Sequence, residues 1–158
     1  MRVALLSLVL LGAAATTQTS CRRSGANDGA WSANQVANDR VRITPGEISV
    51  SRDRLYVKMT LVNTSNDTLV VERDAVMLKL PDGRAVRRST GITSTHKPYT
   101  VSPGGTQSVQ VDFLPAESFD WSTVASVEVD FSQAVHAGAA AVPVPPLVVT
   151  RAEMRAAR

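Results

Sequence analysis

Two hexapeptides, Ser108-Val-Gln-Val-Asp-Phe113 and Ser126-Val-Glu-Val-Asp-Phe131, stand eighteen residues apart and are nearly identical. Each alternates strictly, with Val and Phe on one side and Ser, Gln or Glu, and Asp on the other. A period of two is the period of a β-strand, and one apolar face beside one polar face describes a half-buried strand. Such strands belong to antiparallel sheets, because parallel strands are covered on both faces and read as continuous apolar runs. The spacing is too irregular elsewhere for a solenoid, so the pair reads as two strands of one antiparallel architecture.

The same alternation recurs upstream. Leu55, Val57, Met59 and Leu61 oppose Tyr56, Lys58 and Thr60, and Val76, Leu78 and Leu80 oppose Met77 and Lys79. Val41 and Ile43, then Ile48 and Val50, predict a first strand broken or bulged at Pro45-Gly46. Leu69-Val70-Val71 reads as a short strand. Turns are predicted at 63–68, where Asn, Thr, Ser and Asp side chains can bond their own backbone, at Pro81-Asp82-Gly83, and at Pro103-Gly104-Gly105. Residues 84–88 return as the hairpin partner of the strand before Pro81, and residues 89–100 form a Ser/Thr-rich loop. The connector after Phe113 holds Pro115, Phe119 and Trp121 and caps one end of the core. The Ala/Val/Pro-rich stretch 139–146 leads into an extended edge strand at Leu147-Val148-Val149. Thr150 with Glu153 makes a capping box for a short C-terminal helix.

About seven or eight short strands with turns between most of them, and no long amphipathic helix, predict an all-β, antiparallel β-sandwich. Its inward set is Leu55, Val57, Met59, Leu61, Val76, Leu78, Leu80, Val109, Val111, Phe113, Val127, Val129 and Phe131. At about 1.5 to 3 kcal/mol per buried side chain, such a core opposes the chain entropy of one domain without disulfides.

The N-terminus carries a different signal. Arg2 precedes an almost wholly apolar run at 3–15, too short for a comfortable membrane span, and Thr16-Thr-Gln-Thr-Ser-Cys21 closes it with small residues. This is a secretory leader. Cys21, the chain's one cysteine, sits where it ends, and two readings compete for it. As the last residue of a lipobox, Cys21 becomes the lipid-modified first residue of a membrane-anchored protein; Thr19 and Ser20 suit such a box, while Gln18 departs from its preference for a bulky aliphatic. Alternatively, cleavage after Ala13-Ala14-Ala15 releases a secreted protein with an unpaired thiol, which proteins of oxidising compartments avoid. Lipidation is the expectation adopted. The predicted organisation is a signal peptide at 1–20, a flexible tether at 21–40, the sandwich at 41–150 and a short tail, helical if ordered, at 151–158. Trp31 is the one tether residue suited to dock on the domain.

The segments Leu55-Tyr-Val-Lys-Met-Thr-Leu-Val-Asn-Thr-Ser, Val76-Met-Leu-Lys-Leu-Pro-Asp-Gly-Arg and Val101-Ser-Pro-Gly-Gly-Thr-Gln-Ser-Val-Gln-Val-Asp-Phe resemble bacterial telokin-like, immunoglobulin-like extracytoplasmic domains. In that pattern a strand ending in Asn-x-Ser precedes a Leu-x-x-Gly hairpin, and a Pro-Gly turn opens a later strand. The resemblance spans about residues 41–135 and implies an immunoglobulin-like fold in secreted or lipid-anchored modules. It implies no catalytic residues, because its motifs are turns and alternation.

The chemistry of the chain narrows the function classes further. Without Arg2, 16 basic residues face 14 acidic ones, a mixed balance that makes no case for nucleic acid. His96 and His136, the only histidines, both fall in predicted loops or strand ends, and no nucleophile elbow, zinc-binding helix motif or phosphate-cradling glycine loop is present. The expectation is a protein that is not an enzyme and takes no cofactor. Asp112, Glu128 and Asp130 on the outer faces of the twin strands offer calcium a carboxylate group if those strands pair, and Asn63, Asn66, Asp67 and Asp74 around one turn offer another. The soft-ligand cluster of a copper carrier is absent, with Met59 in the core, Met77 alone and Met154 in the tail. Arg84, Arg87 and Arg88 with His96 and Lys97 are the candidates for contact with an acidic partner, against the alternative that they protect a sheet edge. The expected partners are a membrane, held through Cys21, and an envelope protein met by the sandwich; the alternatives are a structural spacer and a ligand or calcium carrier.

Overall fold

The computed structural model describes residues 30–51, 54–89, 97–115 and 119–152. Thirteen strands and two single-turn 3-10 helices make up the described chain. In chain order the strands are β1 (Trp31–Ala33), β2 (Val36–Ala37), β3 (Val41–Ser51), β4 (Arg54–Asn63), β5 (Leu69–Val71), β6 (Met77–Lys79), β7 (Ala85–Arg87), β8 (Tyr99–Val101), β9 (Thr106–Phe113), β10 (Ser126–Asp130), β11 (Val135–Ala137), β12 (Ala140–Ala141) and β13 (Leu147–Arg151). The 3-10 turns are Arg73–Ala75 and Trp121–Thr123. Every named strand pair is antiparallel. The protein is an all-β sandwich, as the alternation requires.

One layer has the order β2-β3-β4-β9. The other is built from two sheets, β1-β13-β10-β6-β7 and β12-β11-β5-β8. These two are continuous in their middle strands. The chain passes from β5 to β6 through the first 3-10 turn and from β10 to β11 through residues 131–134, and the Glu72 amide donates to the Ala134 carbonyl at 2.7 Å between them. Val71 pairs with Val135 on one side of this kink and Met77 with Asp130 on the other. The two sheets of this layer are therefore joined at the kink by the chain itself and by that hydrogen bond. The inward residues of all three sheets meet in a single core, and the whole inward set named from the sequence is buried.

Local chemistry explains each departure from a flat ladder. In β3 the inward positions are Val41, Ile43, Ile48 and Val50, so the parity changes between Ile43 and Ile48. The register does the same: Pro45 faces Met59 and Ile48 faces Val57, leaving two β3 residues opposite Lys58 alone. That bulge turns Ile48 and Val50 back into the core. Pro45 lies beyond the end of β2, on a stretch of β3 paired only with β4, where its missing N–H costs nothing to the ladder. In the 80–84 hairpin the Gly83 amide donates to the Leu80 carbonyl at 3.0 Å and Gly83 takes φ 85°, the left-handed position that a three-residue connection uses. In the 102–105 turn Pro103 presets the first corner and Gly104, at φ 69°, takes the left-handed second one; the Gly105 amide then donates to the Ser102 carbonyl at 2.8 Å.

Three expectations require correction. Residues 31–37 are not tether: β1 joins β13 at the edge of one layer, and β2 joins β3 at the edge of the other. Trp31, only 5% exposed, buries its ring against the core, which offsets the cost of ordering the segment. For the same reason β13 is not an edge strand, since β1 covers its outer side. Arg151 continues β13, and Thr150 pairs with Ser32 and Ser126 instead of capping a helix. Residues 153–158, where that helix was expected, lie outside the described residues, as do the leader and Cys21.

The opposite margin of the sandwich is closed in a similar way. Beyond β7, Arg88 makes an antiparallel bridge to Phe113 and the Ser89 amide donates to the Asp112 carbonyl at 2.7 Å, so the chain steps from one layer to the other. Crossings at both margins leave the sandwich close to a flattened barrel.

Candidate functional site

The basic candidates do not form one surface. Arg84, in the 80–84 hairpin, donates from Nε to Asp82 at 2.7 Å and lies 5.9 Å from the Phe119 ring centroid. Arg87 points outward from β7, and Lys97 is exposed. Arg88 departs from the expectation. Its side chain is 5% exposed and its guanidinium reaches Asp74 at 3.0 Å, so it pins the crossing between layers and is not available to a partner. The strand period puts Arg87 and Arg88 on opposite faces of the chain, the outward one wet and the inward one buried. His96 lies outside the described residues.

The acidic candidates are separated as well. The twin strands never pair: β9 lies beside β4, whereas β10 lies between β13 and β6 in the other layer. Asp112 faces Arg54 at 3.9 Å on one outer face, and Glu128 and Asp130 sit on the other. Asp130 receives the Lys79 ammonium at 2.7 Å and the Ser132 amide at 2.8 Å. Partial burial pushes the Asp130 carboxyl up, but the hydrogen bonds from Lys79 and Ser132 outweigh it and hold the group below the usual carboxylate value of 3.8. The hydrogen bond to Asp130, reinforced by its charge, raises Lys79 above 10.5. Both groups are already satisfied by each other.

The turn at 63–68 is a structural knot. Asn63 is fully buried and donates from Nδ2 to the Asp67 carbonyl at 2.7 Å and the Val101 carbonyl at 2.9 Å, while its Oδ1 accepts from the Ser65 amide and hydroxyl. Asp67 meets Arg40 at 3.3 Å, and Asp74 is taken by Arg88. Asn66 is exposed at the tip. His136, on β11, makes a 3.0 Å contact from Nε2 to the Gln133 carbonyl. Among the described residues there is no group of three or more His, Cys, Asp or Glu side chains able to hold a metal ion.

The feature that sequence reading missed lies where the chain changes layers. Ser32, Ala33, Asn34, Val36, Pro146, Val148 and Thr150 line a half-open groove of about 220 Å³ between the β1–β2 step and β13. Val148 is 45% exposed there, although it belongs to a strand interior to its sheet. Among the described residues, β1 is hydrogen-bonded to a strand on one side only. The groove thus sets apolar side chains from Val36, Pro146 and Val148 over the seam where the chain leaves β13 for the other layer. A signal existed in the sequence: Leu147-Val148-Val149 is apolar on both faces, which a strand with one wet face does not need.

No family model matches the chain, and no curated protein shows significant sequence similarity to it. Two solved structures align with it at low similarity. The YjhA protein from Bacillus subtilis has 13% identity and a TM-score of 0.41 over 60% of this chain and 76% of that one. An uncharacterized β-sandwich protein from Clostridium difficile 630 has 14% identity and a TM-score of 0.38 over 73% of this chain and 96% of that one.

Proposed function

We propose that this chain is a non-catalytic, extracytoplasmic lipoprotein, held to a bacterial membrane through Cys21, whose sandwich is a protein-interaction module of the cell envelope. The observation that carries the reading is the groove beside β1. It sets partly exposed apolar side chains among the polar Ser32, Asn34 and Thr150, the make-up of a small pocket that can take side chains of another protein. Val148, Pro146 and Val36 supply the apolar contacts, and Ser32, Asn34 and Thr150 the polar ones that choose among segments. The scatter of Asp112, Glu128 and Asp130 over two outer faces supports this reading over the calcium-carrier alternative, since calcium needs several oxygens around one point.

Two measurements test the two halves of the reading. The intact mass of the membrane-fraction protein reports the anchor: it is expected to begin at Cys21 with diacylglyceryl and fatty acyl chains and to lose them in Cys21→Ser. A soluble product that begins near Thr16 instead overturns lipidation. For the module, a photo-crosslinking residue placed at Ser32 is expected to capture a discrete envelope protein that a probe at Thr60 does not. Val148→Arg should abolish that adduct while leaving the melting temperature unchanged. Equal adducts from both positions, or an adduct indifferent to Val148→Arg, removes the groove from the proposal.

A further inference from the structure

We infer that the anchored sandwich stands on one end, with the surface around Leu114, Phe119 and Arg84 against the lipid headgroups and the 63–68 and 102–105 turns facing away from the membrane. The inference rests on the lipid-bearing Cys21 proposed above and goes beyond it by assigning which surface the bilayer occupies.

The length of the chain before the sandwich makes the argument possible. Eight residues separate Cys21 from Ala30, and the nine Cα steps between the two span at most roughly 30 Å when fully extended. The eleven-residue β3 runs about 35 Å, so the leash is no longer than the sandwich it holds. With residues 31–37 built into both layers, half of the expected tether is unavailable as leash.

The registers then fix which end the leash meets. Trp31 pairs with Arg151, the Ala152 amide donates to the Ala30 carbonyl at 2.7 Å, and the Arg151 guanidinium donates to the Ser122 carbonyl at 2.6 Å. The Trp31 ring meets Trp121 edge-on at 6.1 Å, Phe119 meets Trp121 at 4.9 Å, and Arg84 covers Phe119. This end therefore gathers the start of β1, the second 3-10 turn and the 80–84 hairpin. The strand β9 exits toward the same end, because the bridge of Arg88 to Phe113 makes it antiparallel to the ascending hairpin arm. From Ala30 the chain runs the length of the domain through β1 and β2 to the 38–40 turn. There the Thr64 amide donates to the Arg40 carbonyl and the Gly104 amide to the Asn63 carbonyl.

The chemistry of the two ends differs in the direction a bilayer demands. At the near end Leu114 is 39% exposed, one of two exposed large hydrophobic side chains among the described residues. Arg54 and Arg84 add half-exposed side chains to this end, paired there with Asp112 and Asp82, and Arg22-Arg23 follow directly on the anchor in sequence. Guanidinium groups over apolar stems suit the headgroup boundary, where the stem is buried and the charge meets phosphate. The far end presents Thr64, Asn66, Ser102 and the Arg40–Asp67 ion pair, with no exposed large hydrophobic side chain among the described residues.

Lipidation consumes the chain's one native cysteine, so an introduced cysteine is a unique labelling site. Leu114→Cys and Ser122→Cys mark the near end, and Asn66→Cys and Ser102→Cys the far end. Each lipidated protein is labelled with a small fluorophore and placed in phosphatidylcholine/phosphatidylglycerol vesicles that contain a nitroxide-headgroup lipid. Quenching at 114 and 122 is expected to exceed that at 66 and 102 by about twofold or more, given the roughly 30 Å between the ends. Equal quenching at all four positions, on protein whose intact mass carries the acyl chains, overturns the orientation and leaves the anchor standing. Protein whose mass shows no acyl chains removes the premise, and the orientation falls with it.

Discussion

At the scale of single residues, polar side chains decide more than their number suggests. Asn63 is fully buried and uses both ends of its amide to join the turn after β4 to the carbonyl of Val101. Asn63→Ala leaves the Val101 carbonyl without that donor, and urea unfolding should show a loss of about 2–3 kcal/mol. Asn63→Asp keeps the acceptor but loses the donors, and is expected to be at least as damaging. The Lys79–Asp130 pair gives a pH signature. Because the Asp130 carboxyl is held below its ordinary 3.8, its contribution is fully present above that value. It is lost as the pH falls through the lower folded value, since acid first protonates the unfolded chain. Lys79, raised above 10.5, contributes below that value and loses its contribution as the pH climbs through the raised one. Asp130→Asn should therefore lower the melting temperature modestly across the neutral range and change it little at the acid and alkaline extremes, so that the falls below pH 4 and above pH 10 both flatten.

At the scale of elements, turns and bulges set the register that the alternation alone leaves open. The β3 bulge at 46–47 is what lets Val41 and Ile43 share a core face with Ile48 and Val50. In the 102–105 turn a Cβ on Gly105 would lie 2.8 Å from the Ser102 carbonyl oxygen, a backbone atom that cannot swing aside. Gly105→Ala is expected to cost about 1–3 kcal/mol in urea unfolding, the range of an overpacked site. Gly83 has open space around its missing Cβ and a φ of 85°, so Gly83→Ala should cost only the left-handed strain, about 1–2 kcal/mol. A Gly105→Ala protein as stable as the unsubstituted chain would show that the turn can open without cost.

At the scale of the whole molecule, the two crossings between layers hold the fold together. A chain that starts at Val41 lacks Trp31, β1 and β2 and uncovers β13, so it should lose at least the roughly 3–5 kcal/mol of a buried Trp and aggregate through the opened edge. A chain that starts at Ala30 should melt as the mature protein does. Much of this was legible beforehand, because alternation and turn chemistry are local. Period two named the inward side chains of β4, β9 and β10, and Pro-Gly and Asn-rich stretches named the turns. What stayed illegible was non-local. The twin strands look alike, yet β9 and β10 lie in different layers, and this parts Asp112 from Glu128 and Asp130. Arg88 reads like its neighbours Arg84 and Arg87, but its position at the margin crossing turns it inward to Asp74. The small polar residues around Trp31 read as linker, because their strand character comes from β13 and β3, far away in the chain. The sequence by itself determined the fold class, the core and the turns, since each depends on side chains within a few positions of one another. Only the tertiary structure decided which strands became neighbours, where the margins close and where the groove opens, because strand pairing is a contest among distant segments for the same backbone hydrogen bonds.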